Sequence, residues 1–477
     1  MIYLGIDIGT TSAKCLAVGG DGTILALAQH PYPMHHPHQG WAEQDPEGYW
    51  NALVDVVRQC VRQCENKEVA ALALSTQGDT LIVTDSAGAP LRPAITWMDT
   101  RSESEYRELL SEGASSFWYR ETGIPLAPTS SACSIRWLRD NAPDLWARIA
   151  HFCYVPDYLA FRLTGRYAAD MPSASWTPFY NPSSRARSER VAEVLGVDAA
   201  QVSDAVESGT LIGRIHPDAA EALGLPESTK LIAGAFDQAA AALGAGAEPG
   251  RRSVLSCGTA WVLCSISNSP AQDAQEQIPI YCHTRPSQWG MVLPFTGGAA
   301  YDWLAGVLNP GTLDKESDAD PLIFIPHLYG GLCPDWRSES RGSLLGLTMA
   351  HTPGDIRMAL MRGIACEARR NAEAAERLSG PMGAIRMVGG AGKSDTWPRM
   401  IANMLNKIVE VADCVESACY GAAKLAAQTV SDGWQDPGVL RVCEPDRIEA
   451  ESEDRYYARY LRAYEALLGI YEQKSLS

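Results

Sequence analysis

The chain lacks the cysteine spacing of metal and redox sites, and it lacks any hydrophobic run long enough to cross a membrane. Its 13 cysteines are scattered, and the nearest pair, Cys60 and Cys64, is not a Cys-x-x-Cys motif. No uninterrupted apolar run reaches about 18 residues, and the N-terminus has no basic segment followed by an apolar one. We therefore expect reduced, mostly buried cysteines, a cytoplasmic location and no membrane partner.

An excess of basic residues is also missing. The sequence contains 40 lysines and arginines against 57 aspartates and glutamates, which gives a formal net charge of −17. Nucleic acids and anionic membranes are bound by basic surfaces, so neither is expected as the main partner. The chain is long, with 477 residues, and 46% of them are hydrophobic. These values predict a folded protein of two or three domains.

The N-terminal half has the pattern of an α/β layered unit. Residues 2–30 contain three short apolar segments separated by turn residues, which predict three strands joined by hairpins. A helix is predicted from Pro46, because Asp45 is a suitable N-cap and apolar residues then recur at helical spacing. Further strands are predicted at "VAALALS" and "LIVTD".

The second half contains a weaker copy of the opening. "RSVLSCGTAWVLCSI" repeats the order of apolar strand, Ser/Gly/Thr turn and apolar strand found in "YLGIDIGTTSAKCLAV". Strands are also predicted at "LIFIPHL" and "AIRMVGG", and helices at 355–378 and 394–406. Such a duplication predicts two related halves that can face each other across a cleft. The boundary is placed within 237–250, which gives domains 1–240 and 241–477.

The opening segment "DIGTTSAK" combines one carboxylate, a glycine, three hydroxyl side chains and a lysine. In a tight hairpin, Gly9 lets the backbone turn, and the following amides and hydroxyls can point at one oxyanion. Asp7 is acidic, so its role beside a phosphate would be to hold Mg²⁺ through water. The segment is not a Walker A loop, and an ordinary polar turn is the alternative explanation. The second copy, which keeps Gly258 and Thr259, favours two phosphate-binding hairpins.

A third glycine-rich element lies in "IRMVGGAGKSDTWPRMIANML", where a strand, a glycine turn and a helix follow one another. Ser394 or Asp395 is the expected cap of that helix. The glycines would let a base or ribose approach the backbone near the helix N-terminus, and a purely structural turn is the alternative.

Asp237 is the best candidate for chemistry. "KLIAGAFDQAAAALGAG" runs from a predicted buried strand into an alanine-rich helix, with Asp237 at the junction. A carboxylate at the carboxyl end of a strand can face a cleft. Position alone leaves a simple helix N-cap as the alternative.

Together these segments resemble the FGGY family of carbohydrate kinases, within the actin/hexokinase-like superfold. The resemblance covers almost the whole chain and rests on the order of "DIGTTSAK", "WAEQDP", "RPAITWMDTR", "LTG", "GAFDQAAAALGAG", "SCGTA" and "VGGAGKSDTW". "WAEQDP" and "TWMDTR" are most similar to the xylulokinase-like branch. The resemblance implies an α/β fold with two actin-like (ribonuclease H-like) domains facing each other across a catalytic cleft, and it implies ATP and Mg²⁺ as cofactors.

The resemblance also implies roles for individual residues. Asp237 is implied to be the general base that takes the proton of the sugar hydroxyl as it attacks the γ-phosphate of ATP. Asp7 is implied to organise Mg²⁺. The residues implied to bind the nucleotide are Thr10, Thr11, Lys14, Gly258, Thr259, Gly298, Gly390 and Ser394. The residues implied to bind the sugar are Gln77, Asp79, Asp99, Arg101, Asp237 and Gln238.

The chain departs from the family pattern in several places. Xylulokinases typically carry Gln-Met-His-Gly where this chain reads "TQGDT", so that Gly78 and Asp79 stand in place of Met and His. An acid in this loop is more similar to the polyol-handling members. Gln238 stands where pentulose kinases usually have Asn. Ser134 occupies a position where the family signature has Lys, and Arg362 replaces an acid; both are expected to be structural.

The sequence therefore predicts an ATP-dependent kinase for a terminal hydroxyl of a small sugar, with a pentulose such as xylulose preferred to ribulose, erythritol-like or glycerol-like acceptors. A non-catalytic actin-like nucleotide-binding sugar sensor is the second hypothesis, and retention of Asp7, Lys14 and Asp237 favours the enzyme. An actin-like chaperone ATPase is the third, but the chain lacks an appended β-rich peptide-binding domain. The oligomeric state stays open, with a homodimer among the options.

Overall fold

The computed structural model of the protein describes residues 1–65, 68–113, 115–275, 277–308, 317–414, 416–427, 434 and 437–472. The strands are, in chain order, β1 Ile2–Ile8, β2 Ser12–Gly19, β3 Ile24–Pro31, β4 Glu43–Gln44, β5 Val69–Thr76, β6 Leu81–Thr84, β7 Ala94–Ile95, β8 His151–Tyr154, β9 Ala168–Asp170, β10 Tyr180–Asn181, β11 Ala186–Arg187, β12 Asp204–Val206, β13 Leu211–Arg214, β14 Lys230–Phe236, β15 Arg252–Cys257, β16 Ala260–Ser267, β17 Ile280–Cys282, β18 Trp289–Thr296, β19 Ile323–Ile325, β20 Ser343–Leu345, β21 Ala384–Gly389, β22 Val409–Ala412 and β23 Val439–Cys443. The helices are α1 Pro46–Gln63, α2 Glu103–Glu112, α3 Ser115–Thr122, α4 Ser131–Asn141, α5 Pro143–Trp146, α6 Val155–Thr164, α7 Met171–Ser175, α8 Glu189–Leu195, α9 Pro217–Leu223, α10 Asp237–Gly244, α11 Gly298–Val307, α12 Pro353–Ser379, α13 Thr396–Leu405, α14 Ser417–Ala427 and α15 Arg447–Glu472.

The chain divides into two compact units, and the first takes segments from both halves of the sequence. The first unit comprises Met1–Gly246, Pro279–Gly290 and Val415–Asp436, and the second comprises Ala247–Ile278, Met291–Cys414 and Pro437–Ser477. The domains predicted from the sequence, 1–240 and 241–477, are consecutive, so the two later segments of the first unit differ from that prediction. The physical reason for the last segment is the packing of α14, described below.

A six-stranded sheet with the order β13-β14-β5-β1-β2-β3 forms the centre of the first unit. β1 pairs antiparallel with β2, and β2 with β3, which confirms the predicted opening of three hairpin-connected strands. β1, β5 and β14 run parallel to one another. Parallel strands end at the same edge of a sheet. The last residues of β1, β5 and β14, which are Ile8, Thr76 and Phe236, therefore lie at one edge of this sheet.

The predicted helix after Asp45 is confirmed as α1. The carboxylate of Asp45 accepts a hydrogen bond from the backbone N–H of Glu47 and so caps the helix. Leu53, Val57 and Val61 are buried in the core, and α1 packs against β2 and β3. These residues recur at helical spacing, so they form one side of α1, and that side covers one face of the sheet.

Close glycine contacts hold α14 in the first unit. A Cβ added to Gly5 in β1 would lie 1.8 Å from the carbonyl oxygen of Cys419 in α14. A Cβ added to Gly421 in α14 would lie 1.9 Å from the carbonyl oxygen of Ala240 in α10. Only glycine permits such approaches, so α14 packs backbone to backbone on β1 and α10.

A second layer of the first unit contains the small sheet β4-β7-β6-β8. The predicted strand at "LIVTD" is β6 and lies in this sheet. A core that includes Trp118, Phe152 and Phe179 supports it.

The second unit repeats the strand arrangement of the first. Its strands β18, β16, β15, β21, β22 and β23 lie side by side in that order. β15 pairs antiparallel with β16 and parallel with β21, β21 is parallel to β22, and β22 is antiparallel to β23. In the first unit, neighbouring strands in the order β2, β1, β5, β14 and β13 show the same succession of antiparallel and parallel pairings. The predicted internal duplication is therefore confirmed. The helices predicted at 355–378 and 394–406 correspond to α12 and α13.

All thirteen cysteines fall within the described residues, where none forms a disulfide and twelve are buried. Their predicted burial is confirmed. Among the described helices, none is both long enough and apolar enough to span a bilayer. The cytoplasmic location and the homodimer stay predictions.

Candidate active site

The carboxyl edge of the parallel strands in the first unit brings together chemistry-bearing residues from three segments. In the register of β1 and β5, Asp7 lies opposite Ser75, and in that of β14 and β5, Phe236 lies opposite Thr76. Asp237 follows Phe236 directly, so the sheet places it beside the segment that contains Gln77. The topology thus brings Asp7, the loop after β5 and Asp237 to one edge.

Asp237 is the first residue of α10 and not its N-cap. The cap position belongs to Phe236, which has no side-chain cap bond. The Asp237 carboxylate instead accepts a hydrogen bond from the backbone N–H of Gln238, at 2.6 Å. Burial and the neighbouring negative charge of Asp7 raise the pKa of Asp237 to about 7. A carboxylate with a pKa near neutrality is a stronger proton acceptor than an ordinary aspartate.

Asp7 is half-buried at the end of β1. The hydroxyl of Ser75 donates a hydrogen bond to its carboxylate, at 2.6 Å. Burial raises the pKa of Asp7 to about 6, although the Ser75 hydrogen bond and the charge of Lys14 oppose the rise. Two carboxylates with raised pKa values on one sheet edge form a region of excess negative charge.

The first hairpin forms where the sequence predicted it, between β1 and β2. The backbone N–H of Gly9 donates to the carbonyl of Ser12, which leaves Thr10 and Thr11 at the tip, half-buried and exposed respectively. The ammonium of Lys14, however, forms an ion pair with Glu416 at 2.6 Å. In this conformation Lys14 is directed to Glu416, and its phosphate contact stays a prediction.

The second unit contains a cavity of about 370 Å³ that gathers four of the residues predicted to bind the nucleotide. Gly258, Gly298, Gly390 and Ser394 all line it, and Thr259 is exposed at the tip of the adjacent hairpin. The backbone N–H of Gly298 donates to the carbonyl of Gly258 at 3.2 Å, which fixes the start of α11 against that hairpin. The Ser394 hydroxyl accepts from the backbone N–H of Thr396, at 3.1 Å, and so caps α13.

Several residues of this cavity were missed by the sequence reasoning. Tyr301, Asp302, Arg357 and Trp397 also line it. Arg441, on β23, supports the glycine turn, because its guanidinium donates to the carbonyl oxygens of Gly392 and Ser394. Trp397 ends the segment "VGGAGKSDTW", but nothing in that segment assigned it a role. No motif signals Arg357 or Arg441, because they come from a separate helix and strand.

The loop after β5 contains the predicted sugar-binding residues Gln77 and Asp79. Gln77 is buried and donates to the side chains of Gln44 and Tyr49, while its Oε1 atom has no hydrogen-bond partner among the described residues. Asp79 is half-buried, and both of its carboxylate oxygens accept hydrogen bonds from Ser131, one from the backbone N–H at 2.9 Å and one from the hydroxyl. Asp79 is therefore tied to the start of α4 and is not an exposed loop acid.

Asp99 and Arg101 form a buried pair in the first unit. The guanidinium of Arg101 donates to both carboxylate oxygens of Asp99, at 2.8 and 2.7 Å, and lies 3.6 Å from the ring centre of Trp41. The Nη1 atom of Arg101 has no partner among the residues the structure describes. Trp97, in the same segment, is 44% exposed, and its indole N–H donates to the Thr10 hydroxyl at 3.1 Å. Trp97 thus connects this segment to the first hairpin.

Ser134 and Arg362 are the remaining departures from the family pattern. Ser134 is buried within α4. Arg362 donates to Glu453 at 3.0 Å and lies over the ring of Tyr456. Arg362 therefore has contacts that support the fold, and the structural role of Ser134 stays a prediction.

Two family models match the chain. The FGGY family of carbohydrate kinases, N-terminal domain, matches residues 2–244, and the C-terminal domain of the same family matches residues 259–430. Xylulose kinase from Escherichia coli (strain K12) is 26% identical over 435 residues and covers 89% of each chain. Gluconokinase from Bacillus subtilis (strain 168) is 26% identical over 443 residues, covering 88% of this chain and 86% of that protein.

The fold agrees with solved structures of such enzymes. The crystal structure of xylulose kinase from Rhodospirillum rubrum matches with a TM-score of 0.90 and 26% identity, covering 99% of this chain and all of that chain (100%). The predicted two-domain α/β fold is therefore confirmed.

Proposed function

Because the chain belongs to the FGGY family of carbohydrate kinases, we propose that it transfers the γ-phosphoryl group of ATP to a terminal hydroxyl of a pentulose, with xylulose as the first candidate. The observation that carries the proposal is Asp237, a carboxylate with a pKa raised to about 7 at the carboxyl edge of parallel strands. Such a group can accept the proton of an attacking hydroxyl.

In this mechanism the protein positions and polarises the reactants. Asp237, oriented by the backbone N–H of Gln238, accepts the proton of the acceptor hydroxyl as its oxygen attacks the γ-phosphorus. The bond between the γ-phosphorus and the oxygen that joins it to the β-phosphate breaks, ADP leaves, and the phosphate ester of the acceptor forms. Phosphoryl transfer depends mainly on positioning and on charge stabilisation, so one general base and well-placed donors suffice.

The residues of the first unit fit a magnesium ion brought by the nucleotide. Asp7 and Asp237 supply a pair of carboxylates, the ligand type that Mg²⁺ prefers, and Asp7 would hold the ion through water. When bound, Mg²⁺ would neutralise charge on the phosphates. Among the described residues, no group of three or more His, Cys, Asp or Glu side chains could hold a metal by itself. The ion is therefore expected to arrive with ATP.

The cavity of the second unit is the proposed site for the nucleoside of ATP. Its volume of about 370 Å³ and its lining by glycines and aromatic side chains suit a flat base and a ribose. Trp397 packs against Trp261, with ring centres 4.7 Å apart and an interplanar angle of 59°, which gives the cavity an aromatic wall.

The charges of the first unit favour a neutral acceptor over an aldonate such as gluconate. Asp7, Asp79 and Asp237 bring three carboxylates to the edge where the acceptor hydroxyl must lie. Lys14, a cation of the first hairpin, is already paired with Glu416. A substrate carboxylate there would meet like charges, whereas hydroxyl groups can donate hydrogen bonds to them.

An acceptor screen tests this proposal. ADP release would be measured with MgATP and with D-xylulose, D-ribulose, glycerol or D-gluconate, and phosphate-ester formation would be measured in parallel. We expect the highest kcat/KM with a pentulose and the lowest with gluconate. Gluconate as the best acceptor would contradict the neutral-acceptor argument, and ATP turnover that no acceptor stimulates would contradict the kinase.

A further inference from the structure

Gly78 and Trp176 share one space in the first unit. A Cβ added to Gly78 would lie 2.4 Å from Cδ1 and 2.8 Å from Nε1 of Trp176, and 2.8 Å from Cε2 of Phe236. Real Cβ atoms do not approach other atoms so closely. The indole therefore occupies the volume that any side chain at position 78 would need.

The indole of Trp176 is fixed by aromatic neighbours next to Asp237. It stacks on Phe236, with ring centres 4.6 Å apart and an interplanar angle of 15°. Tyr281 meets both rings edge-on, with ring centres 5.6 Å from that of Trp176 and 5.5 Å from that of Phe236. Tyr281 is itself buried. Because Phe236 precedes Asp237 in the chain, this aromatic group supports the backbone that carries the proposed base.

The indole N–H of Trp176 has no hydrogen-bond partner among the residues that the structure describes. Trp176 is half-buried, and Gly78 and Asp79, beside it, are half-buried as well. Its N–H lies on the side of the ring that contacts Gly78. A tryptophan N–H in such a place is available to a ligand, since a buried indole otherwise takes a protein partner.

We propose that Trp176 is a specificity-determining residue of the acceptor site. Its ring, admitted by the missing side chain of Gly78, forms a wall of the site, and its N–H donates a hydrogen bond to an oxygen of the neutral ketose other than the oxygen that is phosphorylated. The inference rests on the proposed function and deepens it, because it selects acceptors with a hydrogen-bond acceptor at that wall.

The direct test is Trp176→Phe, which removes the N–H and keeps an aromatic ring against Phe236. The matched control is Trp289→Phe, because Trp289 is also half-buried in the first unit and its N–H donates to the carbonyl of Pro182 at 2.8 Å. We expect Trp176→Phe to raise KM for the preferred acceptor about three- to ten-fold, the effect of one lost hydrogen bond, with KM for ATP unchanged. The order of preference among D-xylulose, D-ribulose and glycerol should also change. Acceptor KM and preference in Trp176→Phe that equal those of Trp289→Phe would overturn the proposal.

A double-mutant cycle at Gly78 tests the shared space separately. Gly78→Ala should lower kcat/KM for the acceptor at least about ten-fold, because its Cβ displaces the indole. In a Trp176→Ala background the same change should cost little, since the space is then empty. Thermal unfolding of each variant shows whether a loss reflects folding. Additive effects of Gly78→Ala and Trp176→Ala would overturn the shared-space argument.

The failure of this inference can be told from failure of the proposed function. If the wild-type chain phosphorylates no acceptor, the proposed function fails. The Trp176 proposal is then tested by the change in indole fluorescence on adding D-xylulose, with Trp176→Phe and Trp289→Phe as references. A fluorescence change lost only in Trp176→Phe supports it, and a change that all three proteins share, or no change in any, overturns it.

Discussion

Three aspartates near the carboxyl edge of the first sheet have the same side chain and different surroundings. Asp237 has one backbone hydrogen bond and lies near the charge of Asp7. Asp7 accepts from Ser75. Asp79 has both oxygens engaged by Ser131, although burial raises its pKa to about 6. The surroundings favour Asp237 as the base, because it is the carboxylate with the highest pKa of the three.

The pH dependence of the reaction follows from the pKa of Asp237. The base must be ionised to accept a proton, and burial together with Asp7 raises its pKa to about 7. We expect kcat/KM for the acceptor to be full above that pH and to fall about ten-fold per pH unit below it. The measurement is kcat/KM from pH 5 to 9 at saturating MgATP, with unfolding monitored at each pH. An activity that stays level down to pH 5 would be inconsistent with Asp237 as the base.

At the scale of elements, each of the two units contains a hairpin with small residues at its tip. The sequence predicted both, because apolar runs interrupted by Gly and Thr leave few alternatives to a hairpin. The second hairpin is fixed by α11, since a Cβ at Gly298 would lie 2.5 Å from the carbonyl oxygen of Gly258. That contact was not predictable, because Gly258 and Gly298 meet only through the tertiary fold.

Gly298→Ala is predicted to weaken ATP binding by moving the second hairpin. Relief of a backbone clash of this size costs on the order of 1–3 kcal/mol, so KM for ATP should rise about ten-fold or more. The control is Gly306→Ala in the same helix, where a Cβ would meet nothing within 4 Å. Steady-state kinetics of both variants, with the acceptor saturating, give the comparison. Equal KM values for ATP in the two variants would separate this hairpin from nucleotide binding.

At the scale of the whole molecule, the two compact units are not two consecutive stretches of the chain. The strands, α1, the duplication and the strand-to-helix junction at Asp237 were predictable, because they depend on local pattern and capping. The place of α14 was not, because its apolar and small residues would suit burial in either unit. The close contacts of Gly5 and Gly421 decide it. Likewise, sequence reasoning missed Trp176 and Arg357, whose surroundings are made by distant segments.

Gly421→Ala is predicted to destabilise the first unit. Its Cβ would lie 1.9 Å from the Ala240 carbonyl, so α14 or α10 must move, at a cost of about 1–3 kcal/mol or more in the free energy of unfolding. Gly469→Ala in α15 is the control, since nothing lies within 4 Å of its Cβ, and it should be neutral or stabilising by up to about 1 kcal/mol. Urea unfolding of both variants measures the difference. A Gly421→Ala protein as stable as wild type would contradict the packing of α14 described here.

The most direct test of the account is the acceptor-dependent release of ADP by Asp237→Asn. Asparagine keeps the size of the side chain but cannot accept the proton, so kcat should fall about 10²–10⁴-fold while the unfolding temperature and KM for ATP change little. Asp218→Asn, a change in the first turn of α9 in the same unit, is the control and should keep full activity. A fall in kcat confined to Asp237→Asn is the predicted result, and turnover of Asp237→Asn at the wild-type rate would contradict the account.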